Sequence, residues 1–115
     1  MNQETFREYC LSLPNTHESL PFGPNTLVFK VFDKLFALMP MDEEIFSCNL
    51  KCDPEQAIEL RAKHDFILPG YHMNKVHWNT IKTNHSQYND LIIQLIDHSY
   101  QLVLNSIPLK KRGSL

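Results

Sequence analysis

The residues best suited to chemistry lie in one stretch, from Pro69 to Thr80. It combines amide, imidazole, ammonium, phenol and indole groups, which contact phosphate oxygens and stack on nucleic-acid bases. We therefore predict a DNA-binding surface there, extended by a lysine at the end of a strand and by the cations near the C-terminus. The candidate contact residues are Lys51, His72, Asn74, Lys75, His77, Asn79, Lys110, Lys111 and Arg112.

The same stretch supports a second function. Tyr71, Met73 and Trp78 would line an apolar recess, which would make the chain a non-enzymatic adaptor for another protein or a small ligand. Trp78 is also the single tryptophan, and we expect its indole to anchor the sheet against the last helix. A recess beside Tyr71 favours the adaptor, whereas cations converging on one face favour DNA binding.

Catalytic and metal-binding patterns are missing from the sequence, which has no G-x-S-x-G elbow, P-loop, G-x-G-x-x-G or H-E-x-x-H. His98 and Ser99 are neighbours on a predicted helix, so their side chains diverge and cannot form a nucleophile–base pair. His72 and His77 would face opposite sides of a regular strand, and the acidic residues 42–44 favour a solvated turn. We therefore expect no enzymatic activity, no metal and no cofactor.

The charge balance limits any contact with DNA. The 115 residues have a formal net charge of -2 and a pI near 6.3. Residues 1–60 carry four Lys/Arg against ten Asp/Glu, whereas residues 61–115 carry seven against three. Because phosphate affinity comes from Lys and Arg, binding would depend on one local patch and would be weak and salt-sensitive.

The cysteines indicate the compartment. Cys10, Cys48 and Cys52 are odd in number and no export signal precedes them, which favours reduced, structural thiols in the cytoplasm. The longest apolar runs are also far shorter than the roughly 20 residues that cross a bilayer. We therefore expect no membrane partner.

Hydrophobic periodicity predicts the elements that position these residues. Phe6, Tyr9, Cys10 and Leu13 follow helical spacing, and branched and aromatic residues indicate strands further on. The predicted elements are a helix over 2–13, an edge strand within 17–22, a hairpin of 26–32 and 35–39, a strand over 45–51, a helix over 53–63, a loop over 68–71, a strand over 76–81, a helix over 87–106 and a basic tail over 108–115.

Alternation within the strands assigns their faces. Phe46, Cys48 and Leu50 should point inward, with Ser47 and Asn49 outward. Leu27, Phe29 and Val31 should likewise share one face. The order of elements predicts a single α+β domain over residues 1–115, with an antiparallel sheet covered on one face by helices.

Short motifs along nearly the whole chain carry a family resemblance. They are Leu13-Pro14, Pro21-Phe22-Gly23, Phe36-Ala37, the run from Leu50 to Glu55, the run from Pro69 to Lys75, the run from His77 to Thr80, Ser99-Tyr100 with Val103, and the ending from Pro108 to Arg112. With these motifs the chain resembles the MmcQ/YjbR family of small bacterial proteins. It departs from the family pattern at Val76, where a second lysine is expected beside Lys75.

This resemblance implies a CyaY-like, or frataxin-like, two-layer sandwich, also described as a double-wing arrangement. Members are commonly labelled DNA-binding on that structural analogy. True frataxins handle iron through an acidic ridge, but the first helix here offers only Glu4 and Glu8, with Arg7 between them. Iron handling is therefore not expected for this chain.

Overall fold

The first helix begins where the capping pattern predicts. In the computed structural model, which describes residues 1–112, it spans Gln3–Ser12. Asn2 Oδ1 accepts a hydrogen bond from the N–H of Thr5 at 2.8 Å, which satisfies one of the free donors of the first turn. Pro14 follows the end of the helix, where its ring prevents continuation.

Three α-helices and six strands make up the regular structure of residues 1–112. In chain order they are α1 (Gln3–Ser12), β1 (Thr16–Ser19), β2 (Thr26–Val31), β3 (Lys34–Pro40), β4 (Ser47–Lys51), α2 (Pro54–Lys63), β5 (Ile67–Pro69), β6 (Trp78–Lys82) and α3 (Asn89–Asn105). Short 3₁₀ turns over Ser86–Tyr88 and Leu109–Lys111 flank the last helix.

The strands form one antiparallel sheet in the order β1-β2-β3-β4-β6-β5. The first four strands are neighbours in both sequence and space, whereas α2 and β5 separate β4 from its partner β6. Strands β1 and β5 form the two edges. The architecture is the predicted α+β sandwich, and the edge strand expected within 17–22 is β1.

The three helices pack on one face of the sheet, which we call the inner face. The predicted inward positions of β2 and β4 belong to the core that forms there, together with apolar residues of α1 and α3. The largest fully buried side chains of this core are Phe6, Phe29, Phe36, Met39, Leu50, Ile67, Ile81, Ile92 and Ile96. The predicted alternation of β2 and β4 is confirmed.

Several predicted boundaries were wrong, among them the start of β4, which lies at Ser47 and not at residue 45. The β2–β3 turn occupies residues 32–33, one position earlier than predicted, and Phe32 has a left-handed φ of 51°. Part of the predicted 68–71 loop belongs to β5, whose three residues pair with β6. The strand predicted over 76–81 begins later, at Trp78, because Asn74 holds residues 75–77 in a turn through its side chain.

The expectation that Trp78 anchors the sheet against the last helix was also wrong. Ile81 lies in the core, so alternation along β6 directs Trp78 and Thr80 to the opposite face. Trp78 is half-buried there, and the backbone of Gly70 packs against it. A Cβ atom added to Gly70 would lie 2.8 Å from the Cβ of Trp78. Trp78 therefore packs against Gly70, at the start of the preceding loop, and not against the last helix.

Ser99 of α3 links two central strands. Its Oγ donates a hydrogen bond to the carbonyl of Phe36 in β3 at 2.6 Å and accepts one from the N–H of Lys51 in β4 at 2.9 Å. The side chain is fully buried. The hydroxyl thus satisfies backbone groups where β3 and β4 no longer pair directly.

The predicted basic tail folds back at its start. Residues Leu109–Lys111 form a 3₁₀ turn, and Arg112 Nε donates a hydrogen bond to the carbonyl of Ile107 at 2.9 Å. The remaining tail residues, 113–115, lie outside the described residues. Within residues 1–112, no helix is both long and apolar enough to cross a bilayer.

Candidate functional site

The face of the sheet away from the helices, the outer face, carries a row of buried side chains. Val28, Leu38, Asn49 and Thr80 lie opposite one another on β2, β3, β4 and β6. Leu38, Asn49 and Thr80 expose only 6 or 7% of their surface to solvent. An uncovered sheet would leave this row in solvent, so another segment must cover it.

The covering segment is the loop over Tyr71–Met73, between β5 and β6. It turns back over the outer face because Gly70 donates its N–H to the carbonyl of Trp78 at 2.9 Å. Tyr71 then donates its N–H to Oγ1 of Thr80 at 2.9 Å. His72 at the crest has a φ of 60°, a left-handed conformation that only a few residue types besides glycine adopt readily.

Asn49 and Thr80 form a polar floor beneath this loop. Thr80 Oγ1 donates to Asn49 Oδ1 at 2.6 Å while accepting from the backbone of Tyr71. This pair leaves the Asn49 amide nitrogen, Nδ2, without an acceptor among residues 1–112. Among the described residues, only Asn79 Oδ1 is both fully buried and unpartnered, so Asn49 Nδ2 reaches solvent at the recess, where a ligand can accept its hydrogen bond.

The loop and the floor enclose a recess of about 430 Å³, which we call the outer-face recess. Phe22 and Tyr71 stand at its rim with 69% of their surface exposed. The rings of Tyr71 and His72 lie 4.0 Å apart. The residues that line the outer-face recess are Phe22, Thr26, Leu38, Pro40, Asp42, Glu43, Asn49, Tyr71, His72 and Met73.

The charge of the recess is acidic. Asp42 and Glu43 line it, and no lysine or arginine does. Glu43 Oε2 is 2.9 Å from Nζ of Lys82, which lies outside the lining. The solvated turn predicted for residues 42–44 therefore supplies carboxylates to one side of the recess.

The predicted adaptor residues separate into two groups. Tyr71 and Met73 line the recess, whereas Trp78 does not. Sequence reasoning missed Phe22, Leu38 and Asn49. The unbroken apolar run in β2 and β3 was a signal for Leu38, because such strands are covered on both faces, but it was no signal for Phe22 or Asn49.

Several predicted DNA contacts lie near one another at the end of the sheet where β6 begins. Lys51 pairs with Trp78 across β4 and β6, and the carbonyl of His77 accepts a hydrogen bond from Cys52 at 2.8 Å. Lys75 Nζ donates to the carbonyl of Gly70 at 2.9 Å, so it also ties the loop together. His72 lies apart from these residues, at the recess.

The two predicted asparagine contacts have other partners. Asn74 Oδ1 accepts the N–H groups of Val76 and His77, at 2.9 and 3.2 Å, and so holds a turn. Asn79, predicted as a DNA contact together with Lys75, points to the inner face and is only 3% exposed, so it lies away from the surface. Its Nδ2 donates to the carbonyl of Ala57 in α2 at 3.4 Å, and its Oδ1 has no partner among residues 1–112.

The C-terminal cations are placed elsewhere. Arg112 lines a surface depression with Pro14, Asn15 and Phe32 at the β1–β2 side of the sheet. Since β3 and β4 separate β2 from β6, the two regions are about 14 Å apart at ordinary strand spacing. Lys110 and Lys111 belong to the same exposed turn. The C-terminal cations are therefore separated from Lys51, Lys75 and His77 by the width of β3 and β4.

The thiols are buried and free. Burial raises the pKa of Cys10 and Cys48 well above the ordinary range, and it raises the pKa of Cys52 to about 11. These thiols therefore stay protonated at neutral pH and have little nucleophilic character. Within the part of the chain that the structure describes, no three His, Cys, Asp or Glu side chains are grouped so as to hold a metal ion.

Comparison with known proteins places this fold and its loop in a family. The family model described as YjbR matches residues 11–102. Uncharacterised protein YjbR of Escherichia coli K12 is 35% identical over 108 residues, which cover 94% of this chain and 92% of the relative. Uncharacterised protein YyaQ of Bacillus subtilis is 44% identical over 59 residues, about half of each chain.

Solved structures agree with this match. A Deinococcus radiodurans protein with a DUF419 domain superposes with a TM-score of 0.89 at 36% identity, covering 96% of this chain and 85% of that one. A Pseudomonas syringae protein superposes with a TM-score of 0.77 at 32% identity, covering 90% and 99%. The chain therefore belongs to the YjbR family.

Proposed function

We propose that this protein is a non-enzymatic binding protein whose site is the outer-face recess. The observation that carries the proposal is the unpartnered amide of Asn49 at the floor of a recess that the loop over Tyr71–Met73 covers. The volume of about 430 Å³ lies within the range of small-molecule sites.

The lining suits a small molecule with both apolar and polar parts. Leu38, Pro40 and Met73 supply apolar surface, while Asn49 and the two carboxylates supply a few directed polar groups. Binding sites of this kind use apolar contact for affinity and a few polar groups for orientation. The same rim would accept a side chain of a partner protein, and the chain would then act as a protein-binding adaptor.

A fragment screen tests this proposal. We expect ligand-observed NMR with a library of small molecules to yield fragments that bind the wild-type protein, and two-dimensional protein NMR to show that these fragments shift the amide resonances of Tyr71 and Met73. The variant Tyr71→Ala should lose these fragments because the rim ring supplies much of the contact area. Val76→Ala is the matched control, since Val76 is exposed in the same segment but lies outside the recess.

Two results would count against the proposal. One is a screen in which no fragment binds the wild-type protein at millimolar concentration. The other is a set of fragments that bind Tyr71→Ala and the wild-type protein equally, because their site would then lie elsewhere.

DNA binding through the double-wing fold is the second candidate function. It is favoured by the proximity of Lys51, Lys75 and His77 at the β6 end of the sheet. Arg61 adds a further cation there, since its Nη1 donates to the carbonyl of Lys75 at 2.8 Å. This patch is small, and the chain carries a net charge of -2, so affinity should be weak and should fall steeply with salt.

Fluorescence anisotropy with a labelled duplex tests the second candidate. A patch that neutralises about three phosphates should give a log–log salt slope of about -3. The double variant Lys75→Ala/His77→Ala should lose binding, whereas His17→Ala/Lys30→Ala should keep it. The control removes the same residue types from a cross-strand pair on β1 and β2. No binding at low salt, or equal loss in both variants, would contradict DNA binding.

We also propose that the protein acts in the cytoplasm. The support is the state of Cys10, Cys48 and Cys52, which are buried and free. A reducing compartment preserves thiols in this form. Compartment-specific labelling of a tagged protein in intact cells would test the proposal, and labelling outside the cytoplasm would contradict it.

A further inference from the structure

We propose that the outer-face recess is selective for an organic cation, a small molecule with a protonated amine or amidine on a flat apolar body that also carries a hydrogen-bond acceptor. This inference rests on the proposed function, and it names the chemical class of the ligand. It combines three features of the recess that lie on different elements: carboxylates, aromatic rings and one amide donor at the floor.

The carboxylates provide the charge selectivity. Asp42 and Glu43 line the recess, and Glu43 is paired with Lys82, which lies outside the lining. Among residues 1–112, the carboxylate of Asp42 has no ion-pair partner. An unpaired carboxylate beside apolar walls attracts a cationic ligand and repels phosphate and carboxylate groups.

The aromatic rim provides a second interaction with a cation. Phe22 and Tyr71 are each 69% exposed, and both line the same recess from different loops. A cation over the face of such a ring is attracted by the ring quadrupole. A flat apolar body between the rings would also bury surface that the free protein leaves in water.

The amide donor at the floor provides direction. Asn49 is 93% buried, and its Oδ1 is occupied by Thr80, so Nδ2 remains as a donor at the recess. A ligand that carries an acceptor satisfies this donor, whereas a purely apolar ligand leaves it unpaired at a cost. The ligand therefore needs a cation for Asp42 and an acceptor for Asn49.

Three matched probes test the inference. They are 4-(aminomethyl)benzamide, its neutral analogue 4-(hydroxymethyl)benzamide and the anionic 4-carbamoylbenzoate, which share one ring and one amide acceptor. Titrations followed by two-dimensional NMR report affinity and location together, through the resonances of Tyr71, Met73 and the Asn49 side chain. We expect the cation to bind about tenfold tighter than the neutral probe, from one ion pair and one cation–π contact.

A pair of carboxylate variants isolates the charge. Asp42→Asn should weaken the cationic probe about fivefold while leaving the neutral probe unchanged, which is the size expected for one exposed ion pair. Glu44→Gln is the matched control. It removes the same charge from the same exposed turn, but Glu44 does not line the recess. Both probes should bind this control as they bind the wild-type protein.

The outcomes separate this inference from the proposed function. If the neutral or anionic probe binds the recess as tightly as the cation, the charge selectivity is overturned while the recess remains a binding site. Equal weakening by Asp42→Asn and Glu44→Gln also overturns it, because the effect would then be one of net charge. If no probe binds, the inference fails, and the fragment screen decides separately whether the recess binds a ligand.

Discussion

Replacement of Ser99 by alanine would remove the hydroxyl that links β3 and β4. The Oγ atom satisfies the carbonyl of Phe36 and the N–H of Lys51, at 2.6 and 2.9 Å. The two strands pair directly at only two positions, Ala37 with Leu50 and Leu38 with Asn49. Alanine would therefore leave two backbone groups of the central sheet without a partner.

The size of the effect follows from these two groups. A buried backbone group that loses its partner costs about 1–3 kcal/mol. Lys51 is half-buried, so water can reach its N–H more readily than the carbonyl of the fully buried Phe36. We therefore expect the free energy of unfolding to fall by about 3 kcal/mol, out of the roughly 5–15 kcal/mol of an ordinary domain. The corresponding fall in Tm is about 12 °C.

Urea unfolding followed by the fluorescence of Trp78, the single tryptophan, measures this change. The slope with denaturant should stay constant, because the folded structure is retained. Ser106→Ala is the control, since Ser106 is exposed and its Oγ donates only to Val103 within the last turn of the same helix. It should change the free energy of unfolding by less than about 0.5 kcal/mol. Equal free energies of unfolding for the two variants would refute the reasoning.

Three further changes have defined outcomes. Asn79→Leu removes a buried oxygen that has no partner within residues 1–112. Its free energy of unfolding in urea should therefore stay within about 0.5 kcal/mol of wild type, and a loss above about 2 kcal/mol would contradict this expectation. Gly70→Ala should lose about 1–3 kcal/mol in the same assay, since its Cβ would lie 2.8 Å from that of Trp78, and an unchanged midpoint would contradict the clash. The hydrogen bond to Asp97 raises the pKa of Tyr9 from 10.0 to about 12. The bond therefore stabilises the folded state fully below pH 10, and this stabilisation is lost as the pH rises to about 12. Tyr9→Phe should therefore lose less free energy of unfolding than wild type between about pH 9 and pH 12, and parallel losses in urea titrations would contradict the assignment.

The local elements were predictable because their causes lie within a few residues. Asn2 caps α1, and Asp53 before Pro54 caps α2 with a bond of 3.1 Å from the N–H of Gln56. Alternation also assigned the inward residues of β4 correctly. Caps and alternation depend on neighbours in the chain, so a sequence shows them directly.

The site was predictable only in part. Tyr71 and Met73 were expected in a recess, and they line one. Asn49 was expected to point outward, which it does, but it is buried. Its burial depends on a loop that begins 21 residues later in the chain, at Gly70, and a loop path of this kind has no periodic signature.

The same reason explains the DNA-contact predictions. Lys51, Lys75 and His77 lie near one another through the pairing of β4 with β6, whereas the C-terminal cations lie beyond β3 and β4. Asn79 seemed equivalent to His77 in a strand that was expected to begin at Val76. The turn held by Asn74 delays that strand by two residues.

By itself, the sequence determined the α+β class, the family and the order of the main helices and strands, because periodicity and caps are local properties of the chain. The tertiary structure alone decided which polar groups are buried, exposed or unpartnered. It directed Asn79 inward and packed Trp78 against Gly70. It also left Asn49 Nδ2 without an acceptor among residues 1–112, at the recess that Asp42 and Glu43 line. A polar group acquires its chemical role from partners that are distant in sequence, and only the packed chain specifies those partners.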